Sequence, residues 1–248
     1  EYVMPRMNET DMQTLSTNNG HFQFSAVRPD RLQASEYTLV NIVIDNTGSV
    51  MGFSSELLAT LKAIVESCRS SARADNLMIR VTTFNQKLTE VHGFKLLGMI
   101  DSGSYSKFKP YGATALYDAT EDGVSAVVTY ANDLQDQDFD VNGIVFILTD
   151  GMDNASVLAS PASIATQVRQ AMQDEVIESL QTILIGVDDA HCRSELEAFK
   201  DEAELSEYIS VGDANASNLA KVALFVSQSI GVQSQALGSG GGGASLSF

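Results

Sequence analysis

Three short, almost continuously apolar runs, residues 39–44, 144–148 and 182–187, each lead into an aspartate-bearing turn, and segments of helical period separate them. A strand that is apolar on both faces has to be covered on both, the condition of a central strand in a parallel sheet with helices above and below. The pattern predicts strands at 37–45, 77–84, 143–149, 182–187 and 208–211, with a short antiparallel edge hairpin returning at 88–91. Helices are expected at 54–70, 115–134, 161–179, 193–203 and 217–233. Ser54, Ser55 and Glu56 open the first of these, and Ser160 followed by Pro161 opens the third. Residues 93–109 show no clear period.

The expected fold class is therefore α/β: a Rossmann-like, doubly wound, mostly parallel central sheet with one antiparallel edge strand and helices on both faces. Residues 36–234 form the domain in this reading. Residues 1–35 are polar and rich in Asn, Gln and Met, an N-terminal arm or cap with one alternating stretch, 21–27, that could add an edge strand. Residues 235–248 read as a Gly-rich tail, with Leu246 and Phe248 as apolar anchors for self-assembly or a partner.

Charge narrows the function. Fifteen basic residues face 32 acidic ones, a net of −17, and such a surface repels phosphate backbones and anionic lipid. Nucleic acid is not an expected partner. No apolar run approaches the ~20 residues of a membrane span, so membrane insertion is not expected, and no signal peptide is visible at the start. Cys68 falls on the apolar stripe of a helix and Cys192 follows His191, which is no disulfide framework. A reducing, cytoplasmic setting, or the inside of a viral or bacterial assembly, fits best.

The chemistry gathers where strands end. The first apolar run is followed by Asp45, Asn46, Thr47, Gly48 and Ser49; the second by Thr149, Asp150 and Gly151; and Gly112, Ala113 and Thr114 open a helix between them. In an open parallel sheet, ligands collect at the carboxyl ends of strands where the winding reverses. Carboxylate and hydroxyl oxygens alone are the donor set of a hard divalent cation such as Mg²⁺. The bland alternative is that both aspartates merely cap turns. An aspartic protease would need an uninterrupted Asp-Thr-Gly twice, a dehalogenase-type phosphotransferase a second aspartate where Thr47 stands, and a P-loop a sequence this chain lacks. Asp118 reads as a helix-dipole partner, Asp153 and Asn154 as turn residues, and Asp188 and Asp189 as solvated loop acids. His21, His92 and His191 all stand apart from the three motifs in sequence.

These motifs, in this order, resemble the von Willebrand factor type A family and its metal-ion-dependent adhesion site. That pattern is Asp-x-Ser-x-Ser, then a threonine in a Gly-Gly-Thr-like loop, then an aspartate in a Thr-Asp-Gly-like loop. Asp45, Thr47, Ser49, Thr114 and Asp150 match position by position, with Thr47 where serine is usual and Ala113 replacing the second glycine. The resemblance covers roughly residues 37–233. It implies Mg²⁺, with Mn²⁺ or Ca²⁺ as alternatives, held partly through water, and a protein partner whose Asp or Glu completes the coordination. The function it implies is metal-dependent adhesion, scaffolding or adaptor work without catalysis. The alternatives are a structural subunit of a large assembly with an incidental metal site, and a metal-assisted hydrolase.

Overall fold

The computed structural model describes residues 11–173 and 177–239. Along the chain lie β1 (Met12–Ser16), β2 (Gln23–Val27), β3 (Glu36–Asp45), α1 (Ser54–Arg69), β4 (Leu77–Phe84), β5 (Leu88–Leu96) and α2 (Leu116–Gln135). They are followed by β6 (Asp140–Thr149), α3 (Pro161–Gln173), β7 (Leu180–Gly186), α4 (Arg193–Glu202), β8 (Glu207–Ser210) and α5 (Ala216–Ser239). The strands form one sheet in the order β1-β2-β5-β4-β3-β6-β7-β8. β4, β3, β6, β7 and β8 run parallel to one another. β5 returns antiparallel to β4, and the β1–β2 hairpin is attached beyond it.

The period-2 alternation of β3 divides the core in two. Val40, Ile42 and Ile44 face one layer with Leu57, Leu61 and Ile64 of α1 and Val222, Val226 and Ile230 of α5. Leu39 and Val43 face the other with α2, α3 and α4, through residues such as Val127, Ile164 and Phe199. Asn41, the polar interruption of the first run, is buried with its Nδ2 donating to Gly123 O of α2 at 3.1 Å. The chain winds from β3 through α1 to β4 on one side, and from β6 through α3 to β7 on the other. β3 and β6 are neighbours, so the reversal of winding falls between them. The doubly wound, mostly parallel sheet is the one the apolar runs predict, with its antiparallel strands gathered at one end.

Four boundaries differ from the sequence reading, each for a physical reason. The hairpin does not end the sheet: β5 continues to Leu96, and β2 pairs beside it through Ala26 and Phe94. Gly93 permits this, because a Cβ there would stand 1.9 Å from Ser25 O. Residues 12–27, set apart as an arm, thus supply two strands of the same sheet. Helix α3 is shorter than expected. Residues 177–179 are drawn into extended pairing with β6, where Glu178 N–H donates to Val141 O at 2.8 Å and Gly143 N–H to Ser179 O at 2.9 Å. Conversely α5 runs on to Ser239, through five residues assigned to the tail. Its end is anchored by Gln233, whose O accepts from Asn142 Nδ2 at 2.6 Å and whose Nε2 donates to Ser179 Oγ at 2.6 Å. The rest of the tail, with Leu246 and Phe248, and residues 1–10 of the arm lie outside the described residues.

Candidate metal centre

β3 and β6 are in register through Ile44 and Leu148, so Asp45 and Thr149 close adjacent strand ends. Thr149 Oγ1 donates to Asp45 Oδ2 at 2.7 Å, and Thr47 N–H donates to Asp45 Oδ1 at 2.8 Å. The hydroxyls of Thr47 and Ser49 are 2.9 Å apart, and Ser49 Oγ donates to Asp150 Oδ1 at 2.8 Å. Four of the five residues picked out by sequence therefore form one hydrogen-bonded string across two strand ends.

Thr114 joins them from a third loop. Gly112, with φ +80°, takes the left-handed turn that an L side chain would strain. Its carbonyl accepts from Gly48 N–H at 3.4 Å, while Tyr111 N–H donates to Asn46 O at 3.1 Å. Thr114 Oγ1 then lies against the second aspartate turn, 4.0 Å from where a Cβ on Gly151 would stand. Four of the side chains are thus joined directly, and Thr114 stands beside the turn that carries the fourth.

Residues read as simple turn formers hold this arrangement together. Asn154 Oδ1 accepts from Thr114 N–H at 2.7 Å, and Thr114 O accepts from Asn154 and Ala155 N–H at 2.9 and 3.1 Å. Asp153 Oδ1 accepts from Tyr117 N–H at 3.2 Å. The Asp118 carboxylate accepts from three successive amides, Val157, Leu158 and Ala159, at 3.1, 3.0 and 2.8 Å. A dipole partner was all the sequence suggested there. The amides it collects are about 40 residues away, beyond the reach of any local pattern. Asp189 corrects the reading as a solvated acid: it is fully buried and accepts from the hydroxyls of Tyr208 and Ser210.

Burial dominates the electrostatics of the site. Burial pushes Asp45 from an ordinary 3.8 up to about 6, against hydrogen bonds from Thr47 and Thr149 that lower it, and nearby Asp150 adds repulsion. Burial likewise raises Asp150, opposed by the Ser49 hydrogen bond and by His191. Neither carboxylate forms an ion pair among the described residues, and Asn46 Oδ1, next in the chain, is buried without a hydrogen-bond partner. Among the described residues no three His, Cys, Asp or Glu side chains gather as a metal cluster. The set here has two carboxylates and relies on neutral hydroxyls instead. Such oxygens, desolvated and outside any ion pair among the described residues, fit a hard divalent ion.

Three further reactive side chains, Cys192, His92 and His21, have partners of their own. Cys192 Sγ donates to Asp150 O at 3.5 Å, and burial pushes its thiol up to about 11. His92 is half-buried between Gly93 O and the Tyr105 hydroxyl, 2.9 and 2.8 Å from its ring nitrogens, and desolvation lowers its pKa. His21 Nδ1 lies 3.0 Å from Glu121 Oε2.

The sequence matches no family model and no curated protein. Solved structures share the fold at low identity. Proximal thread matrix protein 1 from the mussel byssus, in a form described as having a zinc-occupied MIDAS motif, is 19% identical with a TM-score of 0.52 over 78% of this chain and 46% of its own. The PilB minor pilin from Streptococcus sanguinis is 16% identical, TM-score 0.55, over 86% and 65%. The pilus adhesin SpaC from Lactobacillus rhamnosus GG is 11% identical, TM-score 0.56, over 85% and 32%. The chain spans less than two thirds of each of these neighbours. These neighbours share the doubly wound α/β fold, the fold that the motif resemblance implies. Among the described residues no helix is long and apolar enough to cross a membrane.

Proposed function

We propose that this chain is a metal-dependent protein-interaction domain in which Asp45, Thr47, Ser49, Thr114 and Asp150 hold a divalent cation, Mg²⁺ by preference, directly or through water. One observation carries the reading. Two buried carboxylates, knitted by hydroxyls at the reversal point of the sheet, form no ion pair among the described residues. When bound, the ion supplies a Lewis-acidic position that an Asp or Glu of a partner protein can fill. The chain's own task is to hold its donors apart and oriented. Thr149 and the Thr47 amide fix both oxygens of Asp45, Ser49 aims at Asp150, and Asn154 sets the backbone of Thr114. Oxygen-only donors favour Mg²⁺, Mn²⁺ or Ca²⁺ over softer ions; the zinc described in the mussel protein makes zinc a fourth ion to titrate.

His92 is engaged with Gly93 and Tyr105 and His21 with Glu121, which supports binding rather than catalysis; His191, whose charge acts on Asp150, keeps a metal-assisted hydrolase as the second reading. Neighbours described as an adhesin, a pilin and a matrix protein support an adhesive or scaffolding role. Two free, buried thiols, Cys68 and Cys192, support a reducing, cytoplasmic setting. Affinity capture from native lysate in Mg²⁺ and in EDTA, with wild type and Asp45→Ala, is the test. A partner that depends on both the ion and Asp45 is expected; full retention in EDTA overturns the reading.

A further inference from the structure

Eight large apolar side chains stand exposed among the described residues, and five of them, Met51, Tyr111, Met152, Val157 and Leu158, lie on the three loops that build the metal centre. Apolar residues scattered singly over a surface need no explanation, but concentration around one polar centre does. Met51 is two residues beyond Ser49, Met152 two beyond Asp150, and Tyr111 three before Thr114. Val157 is 85% exposed and Met51 65%.

These side chains are presented on fixed backbone. The amides of Val157 and Leu158 are held by the buried carboxylate of Asp118, and the Tyr111 amide is held by Asn46 O. A pinned backbone with outward apolar side chains has already lost the entropy that binding would otherwise cost. Charge adds a direction. The chain carries −17 overall, yet residues 102–117 contain Lys107 and Lys109 and no acid. Both lysines are exposed, on the same loop as Tyr111.

We infer that the partner at this site is an extended acidic segment of another protein in which apolar side chains flank the liganding carboxylate. The carboxylate reaches the ion, its apolar neighbours cover the Met51, Met152 and Val157–Leu158 rim, and further acidic residues face Lys107 and Lys109. The inference rests on the metal reading above and names the partner's chemistry.

Two fluorescent peptides with a central aspartate test it, one flanked by leucine and phenylalanine, the other by serine and glycine, titrated in Mg²⁺ and in EDTA. The apolar-flanked peptide is expected to bind at least about tenfold tighter in Mg²⁺, and both to be lost in EDTA. The double variant Val157→Ser, Leu158→Ser, at exposed positions, should bring the tighter peptide down to the level of the weaker and leave the weaker unchanged. Equal Mg²⁺-dependent affinities overturn this inference and leave the metal reading standing. Retention in EDTA overturns both, and failure of both peptides to bind overturns the inference. Concentration-dependent self-association abolished by the same double variant would make the rim a contact between copies of this chain and overturn it as well.

Discussion

Asp45 is held in a state that neutral pH does not favour. With its pKa lifted from 3.8 to about 6, the folded chain retains a proton that the unfolded chain releases. Metal-free stability from this group is therefore fully present below about pH 4, declines as pH rises towards 6, and stays low above it, a loss of roughly 3 kcal/mol at most. Asp150, also raised, works in the same direction. A bound cation reverses the balance, because it needs the carboxylates ionised. The expected result in thermal melts is a metal-free Tm that falls between about pH 5 and about pH 7.5, and a Mg²⁺-induced rise that is large at the higher pH and vanishes at the lower. A stabilisation by Mg²⁺ that does not depend on pH would show that these two carboxylates are not its ligands. The five proposed donors stand out in the sequence because Asp45 closes β3, Thr47 and Ser49 follow it by two and four positions, Asp150 directly follows β6 and Thr114 lies two positions before α2, so local order dictates their spacing. The groups that position them do not, since Asp118 and Asn154 act across about 40 residues. Replacing Asp118 by Ala removes three charge-assisted hydrogen bonds and should cost about 2–4 kcal/mol. Amide exchange at Val157, Leu158 and Ala159 should rise more than in any strand; unchanged protection there would mean that the loop is held by something else.

Among the elements, the central strands and helices were legible because burial on two faces leaves a two-sided apolar record, as in Val40, Ile42 and Ile44 against Leu39 and Val43. Of the β1–β2 hairpin, β2 falls on the alternating stretch 21–27, whereas β1 left no such record. Met12–Ser16 is only half-buried at alternate positions, and its place depends on a contact made far away in sequence, the passage of Ser25 over Gly93. The end of α3 was hidden for a related reason: Glu178 and Ser179 are not poor helix residues but are claimed by β6 backbone. The Gly93 contact gives a prediction at this scale. A methyl group at position 93 would stand 1.9 Å from Ser25 O and 2.2 Å from Ser25 Oγ, so Gly93→Ala has to push β2 off β5. Hydrogen exchange should accelerate throughout residues 12–27 while β3 and β6 stay protected. Because the metal centre is built from β3, β6 and α2 and not from this hairpin, Mg²⁺ affinity should hold within about twofold. A matching loss of protection in β6 would mean that the hairpin and the central sheet unfold as one unit.

For the whole molecule, one buried ion cluster links the added hairpin to the sheet and to the helix layer. Arg80, in the middle of β4, has its side chain 2% exposed, with Nη1 2.7 Å from Asp122 Oδ2 on α2 and Nε 2.9 Å from Glu90 Oε2 on β5. Glu90 in turn accepts from Ser25 N–H of β2 at 3.1 Å, and the guanidinium stands 5.6 Å from the centre of the Phe24 ring. Four elements, the consecutive strands β4 and β5 with the distant β2 and α2, meet at this one cation, in a layer otherwise packed with apolar side chains. Burying such charges costs several kcal/mol each, which mutual attraction only offsets while every partner is present. Arg80→Met should therefore be severe, about 3–5 kcal/mol in urea unfolding, because it strands Asp122 without a counterion. Asp122→Leu alone should cost less, because Arg80 keeps Glu90 as a counterion. Combining Arg80→Met with Asp122→Leu removes both desolvated charges and fills the space with apolar atoms, so the double variant should recover at least half of the summed loss. The coupling between the two positions is the decisive quantity. Additive losses would mean that each side chain acts through packing alone. Strong coupling would make this cluster the joint through which the β1–β2 hairpin, the central sheet and α2 hold one another, with α2 carrying Asp118 to the rim of the metal centre.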